Sequence, residues 1–184
     1  GFLGADSDIV AIVDSQASRL IAIDAPLSLP EGLCCLEESC DCQPNKVEKG
    51  RECERELARL GIPSYFTTKR SIIKGMVYRG IKLRKELESQ GCQVIEVYPY
   101  ASKVRLWGKP MPSKTKPSGL AFLQAHLASL IPSLTSYIAD FSHDLCDAAI
   151  AAYTAYLHYW NKTEGIGNSK EGLIYIPREF GINY

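Results

Sequence analysis

The chain has 184 residues, with 21 Lys+Arg against 21 Asp+Glu, 46% hydrophobic residues and 23% charged. This composition is too apolar for intrinsic disorder, too interrupted by charge for a membrane-spanning protein, and of a length that suits one domain, 1–184. The zero net charge conceals a basic middle: residues 61–120 carry 12 basic and 3 acidic side chains, while residues 1–60 carry 6 basic and 12 acidic.

Asp6 or Ser7 caps a predicted helix running to about Ser18, with Ile9, Val10, Ile12 and Val13 as its apolar side. After Arg19, the short apolar run ending at Asp24 is too short for a helix and is stopped by Pro26, which predicts a buried strand. Residues 27–50 read as a loop rich in Cys, Pro, Gly and charge. Helices are predicted from Glu52 to Leu60, closed by Gly61 and Pro63, and over 70–90, closed by Gly91. Gln93 to Pro99 is a second strand, followed by a basic loop punctuated by Pro110, Pro112 and Pro117. A helix near 118–130, a long one from His143 to Trp160 and a last strand, Gly172 to Pro177, complete the pattern. Helices alternating with three apolar strands predict an α/β layered fold with a largely parallel sheet, whose ligands gather beyond the carboxyl ends of the strands.

Acids fall where that rule directs attention. Asp24 ends the first strand and Glu96 lies near the end of the second. Asp144 and Asp147 are spaced to share one face at the start of a helix otherwise built for burial. A strand-end acid with a helical pair makes an oxygen-rich site for Mg²⁺ or Mn²⁺. The bland alternatives are a turn cap at Asp24 and helix-dipole complements at Asp144 and Asp147. His143 either caps the helix or moves protons.

Five of the seven cysteines lie between Cys34 and Cys53. Without a recognisable signal peptide, they read as thiols or metal ligands of a cytoplasmic protein rather than as a disulfide framework. The expected arrangement is a cysteine-rich loop insertion at about 31–53 in which Cys35, Cys40, Cys42 and Cys53 hold a structural Zn²⁺. Free thiols, a Cys35–Cys53 disulfide and an iron–sulfur cluster are the competing readings. Cys92 and Cys146 read as packing residues.

Five segments in order resemble a domain-of-unknown-function family of predicted RNase H-like nucleases: Ile-Asp-Ala-Pro-Leu-Ser-Leu-Pro (23–30), Arg-Glu-Cys-Glu-Arg-Glu-Leu (51–57), Val-Ile-Glu-Val-Tyr-Pro (94–99), His143 to Ala155, and Glu-Gly-Leu-Ile-Tyr-Ile-Pro (171–177). The Asp-x-x-Asp helix also resembles the last active-site helix of RuvC-like resolvases. The resemblance implies an RNase H-like fold, a mixed sheet flanked by helices, that lacks its N-terminal strands in this chain, with the first catalytic Asp expected upstream of Gly1. It implies a metal-dependent nuclease with Asp24, Asp144 and Asp147 as Mg²⁺ or Mn²⁺ ligands and Glu96 as a further catalytic candidate. The alternative is a catalytically inactive module that binds nucleic acid or protein, and a less favoured one is an enzyme of a small phosphorylated or sugar ligand. Nucleic acid is the expected partner, held by Lys and Arg of 69–85 and by Lys103, Arg105, Lys109 and Lys114, with Tyr98, Tyr100 and Trp107 as stacking platforms. No membrane is expected, and a homodimer is one option for assembly.

Overall fold

A computed structural model describes residues 4–113 and 116–179. Its framework is a four-stranded mixed sheet flanked by helices, in the order β1-β2-β4-β3. Strand β1 (Leu20–Ile23) runs parallel to β2 (Gln93–Val97), and β2 parallel to β4 (Gly172–Pro177). Strand β3 (Thr163–Asn168) closes the sheet antiparallel to β4. Among the described residues no strand pairs with the outer edge of β1.

Alternation along the strands decides which helix covers which face. Ile21, Ile23 and Val94 meet Ile9, Val10 and Val13 of α1 (Asp6–Ser15) and Leu83 and Leu87 of α3 (Lys74–Ser89). Leu20, Ala22, Ile95 and Val97 instead meet Ala151 and Ala155 of α6 (His143–Tyr159), whose small residues admit a close approach. Helix α2 (Glu52–Arg59) packs Cys53 and Leu57 on Ile166, Ile174 and Ile176 of the β3–β4 hairpin. Helix α5 (Pro117–Leu130) covers α6 through Leu123, Leu127, Cys146 and Ile150. Residues 27–50 hold no helix or strand, as expected. Among the described residues no helix is long and apolar enough to cross a membrane.

Two elements depart from the sequence expectation. Strand β3 was not predicted, because Gly165 and Gly167 break the apolar pattern that marks the other three strands. Its antiparallel course beside two parallel pairings gives the expected mixed sheet flanked by helices. Residues 99–107 form a helix, α4 (Pro99–Trp107), instead of opening a loop. Proline at the first helical position starts a helix as readily as it ends a strand.

Candidate functional site

The carboxyl ends of β1 and β2 gather most of the chemistry-bearing side chains. Ile23 is in register with Glu96, which sets Asp24 beside Val97 and Tyr98. Helix α4 starts directly after Tyr98 and packs on α6, where the Thr154 hydroxyl donates to Ser102 Oγ at 3.0 Å. That packing brings Lys103 to Asp147: Nζ donates to Oδ1 at 2.7 Å, with Lys103 buried and Asp147 nearly so. Burial, followed by the charges of Asp24, Tyr100 and Asp147, pushes the Tyr98 phenol up to about 12. The Tyr98 hydroxyl donates to the Pro63 carbonyl at 2.7 Å. A small pocket of about 70 Å³ opens here, lined by Asp24, Ser64, Tyr65, Met76 and Tyr98. The buried Ser64 Oγ has no hydrogen-bond partner among the described residues.

Asp144 lies one turn before Asp147 and is exposed. Among the described residues, Asp24, Asp144 and Asp147 do not form a group whose ligand atoms all lie within 4.8 Å. The cap of α6 is Ser142, whose Oγ accepts from Leu145 N, and not His143.

Glu96 lines the same pocket together with Arg51 and Glu54, but its carboxylate is engaged in ion pairs. Its two oxygens accept from Arg51 Nη2 at 2.6 Å and Nη1 at 2.7 Å, and Oε2 also accepts from Leu27 N at 2.8 Å. Arg51 is 1% exposed and also donates to Glu54 Oε1 at 2.9 Å and Ser28 Oγ at 3.0 Å. Glu54 in turn accepts from Thr67 N and Thr67 Oγ1. A carboxylate on a buried strand needs such partners. The Glu96 carboxylate ties β2 to the start of α2. Nearby, burial pushes the Glu171 carboxyl up, but the Glu31 and Glu52 N–H groups, with Arg55 and Lys46, more than offset this and hold it low.

The second cluster is made of sulfur. The Sγ atoms of Cys34, Cys35, Cys40 and Cys42 all lie within 4.8 Å of one another, a set able to hold a metal ion. Cys53, expected as a ligand, is fully buried between Leu57 and Ile166, and Cys34 stands in the set instead. Position in the helix explains the difference. Cys53 is on the face of α2 that packs against the hairpin, where Gly167 at φ +104° lets the strand come close. Burial raises the Cys53 thiol to about 12. In the loop, backbone hydrogen bonds of Cys35 and then Cys34 hold the Cys42 thiol down to about 6. Hydrogen bonds with the Cys42 and Cys40 thiols raise Cys34 to about 12. Cys92 and Cys146 are core residues, as expected.

A sequence model of the family described as "Protein of unknown function (DUF429)" matches residues 5–169. The chain belongs to the DUF429 family. No curated protein and no solved structure gives a significant match. Within this DUF429 chain the matched span contains Asp24, the cysteine loop, Arg51, Glu96, Lys103, Asp144 and Asp147, and it stops before Glu171 and β4.

Several basic side chains have acidic or carbonyl partners within the chain, most of these pairs at the surface. Arg79 pairs with Asp6 at 2.7 Å, Arg84 with Glu88 at 2.8 Å and Arg70 with Glu38 at 3.4 Å. Lys109 donates to the Gly61 carbonyl, and Arg105 pairs with Glu164 and Glu179. Lys82 and Lys85 of α3 are exposed, and Lys114 lies outside the described residues. Of the proposed stacking residues, Trp107 packs edge-on to Phe122, and Tyr98 is tilted against Tyr100. Arg51, Glu54 and Ser64 are not singled out by the sequence, and Lys103, expected to hold nucleic acid, is instead the buried partner of Asp147. Arg51 and Glu54 lie in the 51–57 motif, and a Glu on an apolar strand calls for a cation, so that pair was within reach.

Proposed function

We propose that this chain belongs to an RNase H-like domain that hydrolyses phosphodiester bonds of nucleic acid with divalent cations, and that Asp24 and Asp147 are among its working carboxylates. The observation that carries this reading is the place of Asp24, directly after β1 at the carboxyl ends of parallel strands, on a pocket that it lines with Tyr98. The resemblance of the five motifs to predicted RNase H-like nucleases supports it. Carboxylate oxygens suit Mg²⁺ or Mn²⁺, which commonly take one or two protein carboxylates and fill the remaining positions with water and substrate phosphate. Asp24 and Asp147 would hold such a cation, with exposed Asp144 as an outer carboxylate, and the bound cation would supply an activated water and charge stabilisation. The chain's own contribution is positional. Lys103 fixes the rotamer of Asp147 from a buried position. Tyr98, its phenol held protonated well above neutral pH, keeps its donor on Pro63. Exposed Lys82 and Lys85 would meet the phosphate backbone.

A second reading is a catalytically silent binding module. It is favoured by Lys103, which already gives Asp147 a cationic partner, and by Arg51, which does the same for Glu96. The experiment is cleavage and binding of labelled single-stranded, duplex and branched DNA and RNA in Mn²⁺, Mg²⁺ and EDTA. The nuclease reading expects metal-dependent cleavage that Asp147→Asn and Asp24→Asn abolish while binding stays within about twofold, since the amides keep the shape and remove the charge. Salt-sensitive binding without cleavage selects the silent module. Neither binding nor cleavage overturns both.

A further inference from the structure

We propose that Cys34, Cys35, Cys40 and Cys42 bind one Zn²⁺ ion, which fastens the loop over residues 31–50 and shapes the cleft beside it. This site stands apart from the acidic end of the sheet and does not depend on nuclease activity.

Geometry comes first. Four Zn–S bonds of about 2.3 Å directed to the corners of a tetrahedron separate neighbouring sulfurs by about 3.8 Å. The Cys34 and Cys40 sulfurs are 3.6 Å apart, and all four lie within 4.8 Å of one another. None of the four is disulfide-bonded. An iron–sulfur cluster spreads four thiolates over two or more irons, whereas four mutually close sulfurs fit a single ion. Soft thiolates select zinc over the hard cations that suit the acidic end of the sheet. A complete set of four protein ligands leaves no open position, which is the pattern of a structural rather than a catalytic site.

Burial supplies the second argument. Cys53, Cys92 and Cys146 are core residues, and their placement follows from hydrophobic packing. The loop thiols are not: Cys34 is exposed and the other three are only partly covered. Apolar burial therefore gives no reason for these four to meet. The loop also needs a fastener. Of residues 31–50 only Leu36 and Gly50 are buried. Tyr78 adds one pin, its hydroxyl accepting from Leu36 N at 2.6 Å and donating to Glu37 at 2.9 Å. Zinc with four thiolates carries a net negative charge, and the Lys69 ammonium donates to the Cys40 carbonyl at its edge. The same loop walls a cleft of about 600 Å³, in which Leu33 and Pro44 face Tyr65, Lys69 and Ile72. Loss of the ion would loosen that wall first.

The test measures zinc in the full chain purified without chelator and then supplied with stoichiometric ZnCl₂ under reducing conditions. The expected content is one ion per chain in the parent and in Cys53→Ala, and well under half that in Cys34→Ser and Cys40→Ser. CoCl₂ in place of zinc should give the intense thiolate-to-cobalt absorption of a tetrahedral sulfur site. Because this reads the parent chain, it decides the matter even if the serine variants do not fold. Chelation should speed proteolytic cutting between residues 31 and 50 by about tenfold or more, reversed by zinc. A parent chain that takes up no zinc and shows no cobalt absorption overturns the proposal. So does a purified chain that carries iron with visible absorption, or a Cys34→Ser chain that keeps a full equivalent.

Discussion

Replacing Arg51 by methionine isolates the role of the Glu96 carboxylate. Arg51 is 1% exposed and bridges Glu96 and Glu54, themselves 6% and 1% exposed. Methionine fills much of the same space but removes both ion pairs and the donor to Ser28. Glu96 then keeps Leu27 N at 2.8 Å, while Glu54 keeps the two Thr67 donors. Removing one partner of a buried ion pair typically costs about 3–5 kcal/mol, because the charge left behind is still desolvated. For a chain of 184 residues each kcal/mol moves Tm by about 2–4 °C, so Arg51→Met should melt roughly 6–20 °C below the parent. The assay is circular dichroism melting at pH 7 with metal content matched between samples. A buried carboxylate without its cation has a folded pKa above its unfolded one. The protonated form is then well tolerated below the unfolded value, and the penalty grows as pH rises through the folded one. The deficit should accordingly shrink as pH falls toward about 4. Adding Glu96→Gln to Arg51→Met should recover part of the loss at pH 7. A Tm within about 2 °C of the parent, or a deficit that ignores pH, would refute the account of Glu96 as a structural ion-pair partner.

The two glycines of α3 should behave oppositely. A Cβ at Gly75 meets nothing within 4 Å, so Gly75→Ala should stabilise by about 0.5–1 kcal/mol in urea unfolding. A Cβ at Gly80 would sit 2.9 Å from the Pro26 carbonyl and 3.2 Å from Ala25 Cβ, so Gly80→Ala should lower the urea midpoint. Gly167→Ala combines φ +104° with a Cβ 2.6 Å from Cys53 Cβ and should destabilise more than either; a neutral result would place Cys53 elsewhere than against β3. The Glu52 carboxyl is held down to about 2, first by Arg55 and then by Lys46. Its contribution is present above the ordinary carboxylate value and is lost as pH falls toward 2, so Glu52→Gln should flatten the acid limb of a plot of urea midpoint against pH. An unchanged limb would show that Glu52 is not a source of acid sensitivity.

How far the sequence is legible depends on whether a signal is local. Strands β1, β2 and β4 announce themselves as apolar runs, and among the described residues five of the six α-helices lie within a few residues of their expected bounds. Strand β3 and helix α4 escape, because Gly165 and Pro99 each carry two meanings that only tertiary neighbours separate. The same limit governs the sites. Asp24 and Asp147 are visible as acids in unusual places. Their company is not, since Lys103 reaches Asp147 only through the packing of α4 on α6. Thiol density locates the cysteine cluster, but counting cannot tell Cys34 from Cys53. That choice rests on which face of α2 meets the hairpin.

The Glu171 contacts impose an order on folding. The Glu171 carboxylate accepts from Glu52 N and Glu31 N, 119 and 140 residues earlier in the chain. Its carbonyl accepts from the Ser28 hydroxyl, 143 residues earlier. Contacts between residues so far apart close late, after the loop entropy between them has been overcome. On a ribosome adding about 5–20 residues per second, the stretch from Ser28 to Glu52 emerges roughly 6–30 s before Glu171 can reach it. Throughout that interval the nascent loop holds four thiols with only local chain to protect them. A chain truncated just before Glu171 should therefore show faster alkylation of these cysteines than the 184-residue chain, a delay set by how far along the sequence Glu171 follows the segment it fastens.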